Sequence, residues 1–265
     1  ASYGAIYLAI ICFCGQVHGQ GNKVDSLQRL LQNSLPDSTR FDVLLKLART
    51  EADRKLKNQL YQDAFEHAYE LNDQLRVYKA INYYAQWLRE KGAKPDSIIS
   101  IYQKGLETLK IPKQRISIYY ALGEFYFGQG QDESAEQTIY DGIRAAEKKG
   151  LTWDLARGYM VLGNGQFYKL EYEKAFTYYT KADSVCEASS DLKLSPIRAK
   201  TLNYIGYAVR ITHGYEKAVE YYLKARDMYI ALDDEAGLQE VNLGLTQYYT
   251  NIGDYEKAEK LLTEA

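Results

Sequence analysis

From about residue 40 onward, the chain alternates between blocks whose apolar positions recur every three or four residues and polar connections only a few residues long. LARGYMVLGNGQFYKL (155–170) carries apolar and aromatic residues at the spacing that keeps them on one face of an α-helix. Leu170 and Glu171 form a short connection, and YEKAFTYYTKADSVC (172–186) opens a second helix. The couplet returns as TLNYIGYAVRI (201–211) with YEKAVEYYLKARDMYIAL (215–232), then as LGLTQYYTNIGD (243–254) with YEKAEKLLTEA (255–265). The pattern predicts helix pairs, written several times over.

Aligning the second helices puts Ala175, Ala218 and Ala258 in register, and the register continues upstream through Ala135, Ile98 and Tyr61 at intervals of about 40 residues. Gly123, Gly163 and Gly206 each stand twelve residues before the register alanine, in the first helices. Glycine inside a helix costs about 1 kcal/mol relative to alanine, so its recurrence predicts a close helix crossing at the glycine and alanine positions. Ala182 and Ala225 leave room for the next unit, and Tyr179 and Tyr222 take the bulky positions. One such pair cannot bury its apolar faces alone, whereas stacked pairs share a continuous core.

These residues resemble the signature of the tetratricopeptide repeat family. Leu122, Gly123, Tyr126 and Ala135 match it in the third unit; Leu162, Gly163, Ala175, Tyr179 and Ala182 in the fourth; Ile205, Gly206, Ala218, Tyr222 and Ala225 in the fifth. The resemblance spans residues 40 to 265, is strongest from 116 onward, and is to a longer variant with about 40 residues per repeat. It implies an all-α fold, a right-handed superhelical solenoid of antiparallel helix pairs. Arg49 and Gln86 stand where the first two units would carry glycine, Pro95 lies near the start of a second helix, Asp132 replaces the turn tyrosine, and Thr246 takes the glycine register in the last unit.

The expected organisation is a signal peptide at 1–19, an N-terminal capping helix and linker at 20–39, and a solenoid of about six helix pairs at 40–265. The leader rests on the apolar run from Ile6 to Phe13, the lack of Lys, Arg, Asp and Glu from Ala1 to Gln20, and the small-residue site VHG at 17–19. It predicts export to the periplasm or cell envelope. Capping is expected of KVDSLQRLLQNSL (23–35), while KLLTEA at the other end stops midway through a second helix and reads as a truncation. Cys12 and Cys14 fall in the leader, leaving Cys186 without an internal disulfide partner in the mature part, as a small core filler.

Composition narrows the function. With 33 basic and 35 acidic side chains and a net charge of -2, no global field recruits nucleic acid. His67, His213 and His18 share no metal-ligand spacing, and no phosphate-binding glycine loop is present. Asp132/Glu133 and Asp233/Asp234 stand at helix starts, where a carboxylate favours the helix terminus. No enzymatic activity, cofactor or metal is expected.

Geometry points to binding. In such a solenoid the first helices line the concave face, and their exposed ridge recurs in each unit. Three residues before and one after the glycine register come Tyr83 and Trp87, Tyr120 and Glu124, Met160 and Asn164, Asn203 and Tyr207. One turn later lie Glu90, Phe127, Phe167 and Arg210, with Tyr168 adjacent. Rings, amides and a few charges suit a groove for a protein or an extended peptide. The lysine and asparagine clamp of family members that bind chaperone tails is not reproduced.

A narrower resemblance is carried by KVDSLQRLLQNSLPDSTRFDVLLKLA (23–48), which is similar to the envelope-facing sensory portions of Bacteroidetes regulators. It implies an input or dimerisation region of a longer signal-transduction protein with a histidine-kinase or DNA-binding output, with room for a homodimer and for membrane attachment through a downstream segment.

Overall fold

A computed structural model describes residues 26–27, 29–31, 36–189 and 191–263. The expected leader and most of the expected capping segment lie outside the described residues. From Asp37 the order is α1 (Asp37–Thr50), α2 (Arg54–Glu70), α3 (Gln74–Glu90), α4 (Pro95–Thr108), α5 (Pro112–Gly128), α6 (Asp132–Lys148), α7 (Thr152–Tyr168), α8 (Tyr172–Glu187), α9 (Ser195–His213), α10 (Tyr215–Leu232), α11 (Glu235–Asn251) and α12 (Tyr255–Thr263). A 3-10 turn, Leu192–Leu194, leads into α9. The architecture is an all-α, tetratricopeptide-like solenoid of antiparallel helix pairs. The chain divides after Ile101 into two compact units.

In the unit formed by 102–265, each helix packs on the next from α5 to α12, and the first helices also touch one another: α5 with α7, α7 with α9, and α9 with α11. Four successive pairs thus bring their first helices to a common side. The turns between them follow from backbone chemistry. After α5, Gly130 takes φ 70° and the Gln131 amide returns to the Tyr126 carbonyl at 3.0 Å. After α7, Leu170 occupies the same place with φ 64°, and the Glu171 amide reaches the Gln166 carbonyl at 2.9 Å. Both close the helix with a left-handed residue, a conformation that suits glycine and strains leucine.

At Gly123 an added Cβ would meet Ile139 and, at 3.2 Å, the backbone oxygen of the register alanine Ala135, as a close crossing requires; Gly163 and Gly206 accommodate rings instead. The space at Gly163 is taken chiefly by the Tyr179 ring, four residues beyond the register alanine Ala175. A Cβ on Gly206 would come within 2.5 Å of the Tyr222 ring, and one on Gly244 within 2.8 Å of the same ring. Tyr222 is fully buried and therefore sits between notches on two first helices, α9 and α11. Tyr120 sits between Gly142 on α6, a second helix, and Gly158 on α7, each 2.5 Å from it if given a Cβ. Removing a side chain on one helix makes room for a large ring from another, and that ring supplies the buried area.

In the unit formed by residues up to 101, α2 and α3 pack through aromatic rings instead. Tyr61 lies 5.8 Å from Trp87 and 6.3 Å from Tyr84, and Phe65 lies 5.9 Å from Tyr84 between ring centroids. Gln86, at the glycine register, is exposed and its amide reaches Glu90 at 3.0 Å.

Candidate functional site

The recurrent ridge predicted ten lining residues, and the structure separates them by depth. Tyr120 is fully buried, and its hydroxyl donates to the Asp154 carbonyl at 2.9 Å where α7 crosses α5. Asn203 is also fully buried, with neither amide atom hydrogen-bonded among the described residues. Trp87 is 6% exposed and packs on Tyr61 and Tyr84. These three belong to the interior and not to a lining: Tyr120 is covered where α7 crosses α5, Asn203 lies within α9 in the core, and Trp87, in the last turn of α3, is covered by rings of α2 and α3.

Of the rest, Tyr83 is half-buried beneath the Arg49 guanidinium, 5.1 Å from its ring. Glu124 is exposed, and half-buried Phe127 fills the space at Gly165. Arg210 lies over two rings, 5.9 Å from Tyr207 and 5.6 Å from Tyr215. Asn164, Phe167 and Tyr207 come together.

They meet in a cleft of about 350 Å³ in the 102–265 unit, walled by α7, α8, α9 and α11. Asn164, Phe167 and Tyr168 come from one first helix, Tyr204 and Tyr207 from the next, and Glu240 from a third; Tyr179 reaches in from α8. Each wall is anchored. The Tyr179 hydroxyl donates to Asn164 Oδ1 at 2.8 Å, which orients that amide and leaves its nitrogen without a partner among the described residues. Tyr207 donates to the Glu240 carbonyl at 3.2 Å and tying α9 to α11, while its ring meets Tyr222 edge-on at 5.6 Å. Phe167 stands edge-on to Tyr172 at 5.1 Å, and Tyr179 packs on Tyr204 at 5.5 Å.

Burial pushes the Tyr179, Tyr204 and Tyr207 hydroxyls above the ordinary phenol range, so the rings present neutral hydroxyls at neutral pH. Tyr168 stands at the rim, 83% exposed. An oriented amide, neutral phenols and ring faces can hold a chain by hydrogen bonds and contact area.

Tyr179, Tyr204 and Glu240 were not among the predicted lining residues. The sequence assigns Tyr179 to packing, which it performs, but its hydroxyl continues into the cleft. Tyr204 sits two residues before Gly206, one step off the ridge, and Glu240 lies in the unit where Thr246 replaces the register glycine. The tyrosine abundance, 26 in the chain, was the one available signal.

Nothing in the described molecule assembles an obvious catalytic group. Among the described residues no cluster of three or more His, Cys, Asp or Glu is placed to hold a metal ion, and no helix is long and apolar enough to cross a membrane. Cys186 is buried, and burial pushes its thiol up to about 11, away from the reactive thiolate.

No family model and no curated protein matches the sequence. Solved structures do. BtubC (BKLC) from P. vanneervenii is 19% identical, with 84% of this chain and 88% of that one covered and a TM-score of 0.63. A signal-transduction ATPase with numerous domains and a tetratricopeptide repeat sensor, from Pyrococcus horikoshii, is 15% identical over 92% of this chain, with a TM-score of 0.64; the match spans 38% of the ATPase. The C-terminal part of a repeat-containing protein from Cytophaga hutchinsonii, a Bacteroidetes organism, is 19% identical, with 92% and 88% covered and a TM-score of 0.52. At these identities the likeness is one of fold, a tetratricopeptide-like helical scaffold.

Proposed function

We propose that the chain is a noncatalytic scaffold that holds an extended segment of a partner protein against the first helices of its second unit. The observation carrying this reading is the cleft itself: three successive first helices each contribute to one recess, with an oriented Asn164 amide whose nitrogen is uncommitted. An extended segment brings backbone carbonyls that such an amide can satisfy and side chains that the rings can cover. Export to the cell envelope remains part of the proposal and rests on the leader sequence.

A selection from a phage-displayed random peptide library tests it. Binders are expected that the Asn164→Ala/Phe167→Ala double variant loses by about 10-fold or more, with its helical circular dichroism retained. No binders, or binders indifferent to the double variant, would overturn this assignment of the cleft.

A second reading makes the same scaffold the input or dimerisation region of a longer regulator. Its support is the resemblance carried by residues 23–48, beside a likeness in fold to part of the sensor-bearing ATPase above. Coding sequence for an output module in frame after residue 265 is the expected finding, and a stop codon immediately after it would remove this reading.

A further inference from the structure

The cleft has a single charged lining residue, Glu240, and it is an acid. Glu240 is only partly exposed and makes no ion pair with any described residue, while the other walls are rings and one amide. A carboxylate drawn partly out of water without a counter-ion is unfavourable and gains from a cation placed beside it. The π faces around it attract the same sign of charge. Two of these rings already do so within the chain: Lys200 Nζ stands 5.6 Å from the Tyr204 centroid, and the Arg210 guanidinium 5.9 Å from that of Tyr207. Neither cation is among the cleft's lining residues, and neither pairs with Glu240.

We infer that the cleft receives a basic side chain, lysine or arginine, projecting from an extended segment of a partner protein. The inference rests on the peptide-binding reading above and specifies its ligand. Glu240 supplies the counter-charge, the Tyr204, Tyr207 and Phe167 rings cover the aliphatic stem and the flat or tetrahedral cation, and the Asn164 amide nitrogen is free to donate to a backbone carbonyl of the same segment. A volume of about 350 Å³ lies at the lower end for ligand pockets, enough for one long side chain and its neighbouring backbone. An acidic segment would instead bring a second negative charge against Glu240. Lys200 and Arg210 repel an incoming cation, which makes Lys200, exposed and outside the lining, a competitor for Tyr204.

The peptides recovered from the library provide the test. The expected result is a Lys or Arg enriched at one position. Replacing that residue by Gln in the peptide, or Glu240→Gln in the protein, should weaken binding about 10-fold, and combining the two should add little further loss. Lys200→Ala should tighten binding two- to three-fold, and added salt should weaken it. Glu240 holds Tyr207 through its backbone carbonyl, so Glu240→Gln leaves that tie in place.

Cleft-binding peptides that lack a basic residue, that are enriched in acidic ones, or that ignore Glu240→Gln would overturn the inference and leave the peptide-binding reading standing. Tetramethylammonium or free arginine amide that binds as tightly as the peptides would also overturn it, by making the occupant a small cation. Failure to recover any peptide removes both.

Discussion

The two units bury a helix pair in different ways. In the first, α2 and α3 meet ring to ring through Tyr61, Tyr84 and Trp87, and the glycine register is held by an exposed Gln86. In the second, glycines remove side chains so that single rings enter notches, Tyr179 at Gly163 and Tyr222 at Gly206 and Gly244. Ring-on-ring packing tolerates divergence, since neighbours can tilt to fit. A notch does not, because the ring's position is dictated by the absence of an atom. The regular unit is accordingly the one whose aromatic hydroxyls arrive at defined places in a cleft.

The largest expected difference is at Tyr222. Tyr222→Ala empties the space between α9 and α11 and should cost about 3–5 kcal/mol, measured by chemical denaturation. A loss under about 1 kcal/mol would show that the two notches collapse readily and that the contrast between units is overstated.

Gly163→Ala comes next. Helix propensity alone would make it stabilising by about 1 kcal/mol, but the new methyl meets the Tyr179 ring. Overpacking should win, with a net loss of about 1–3 kcal/mol and weaker peptide binding, since Tyr179 also orients Asn164. A rise in melting temperature would refute the notch.

At the same register in the first unit, Gln86→Gly should bring only the propensity penalty of about 1 kcal/mol, with no recovery from closer packing. Stabilisation there would mean that the first unit can adopt the packing of the second.

The smallest effect belongs to the turn after α7. Leu170→Gly relieves a left-handed leucine and should raise stability by about 1 kcal/mol, or roughly 2–4 °C, read by thermal melting. Gly130→Leu should do the reverse by a similar amount, because Gly130 occupies the corresponding turn.

The repeat made most of this fold legible. YEKA phrases in register located the second helices, and Gly163 and Gly206 marked where helices approach closely. Depth along the ridge was not legible. Tyr120 and Asn203 share a helical face with Glu124 and Tyr207, yet crossing helices bury the first two, and helical periodicity reports the face without reporting which turns are covered. Glu240 was not legible either, because its helix carries Thr246 in place of the glycine that aligns the others. Tyr179 reads as filler from its register, and where the tip of such a ring emerges depends on how the neighbouring helices tilt, which periodicity does not report.

The phenol that plugs the Gly163 notch also donates its hydrogen bond to Asn164, so one wall of the recess hangs from the bolt that fastens α7 to α8. Loosening that fastening and reshaping the recess are a single event. A search for variants with impaired recognition will therefore return interior positions that no ligand ever meets.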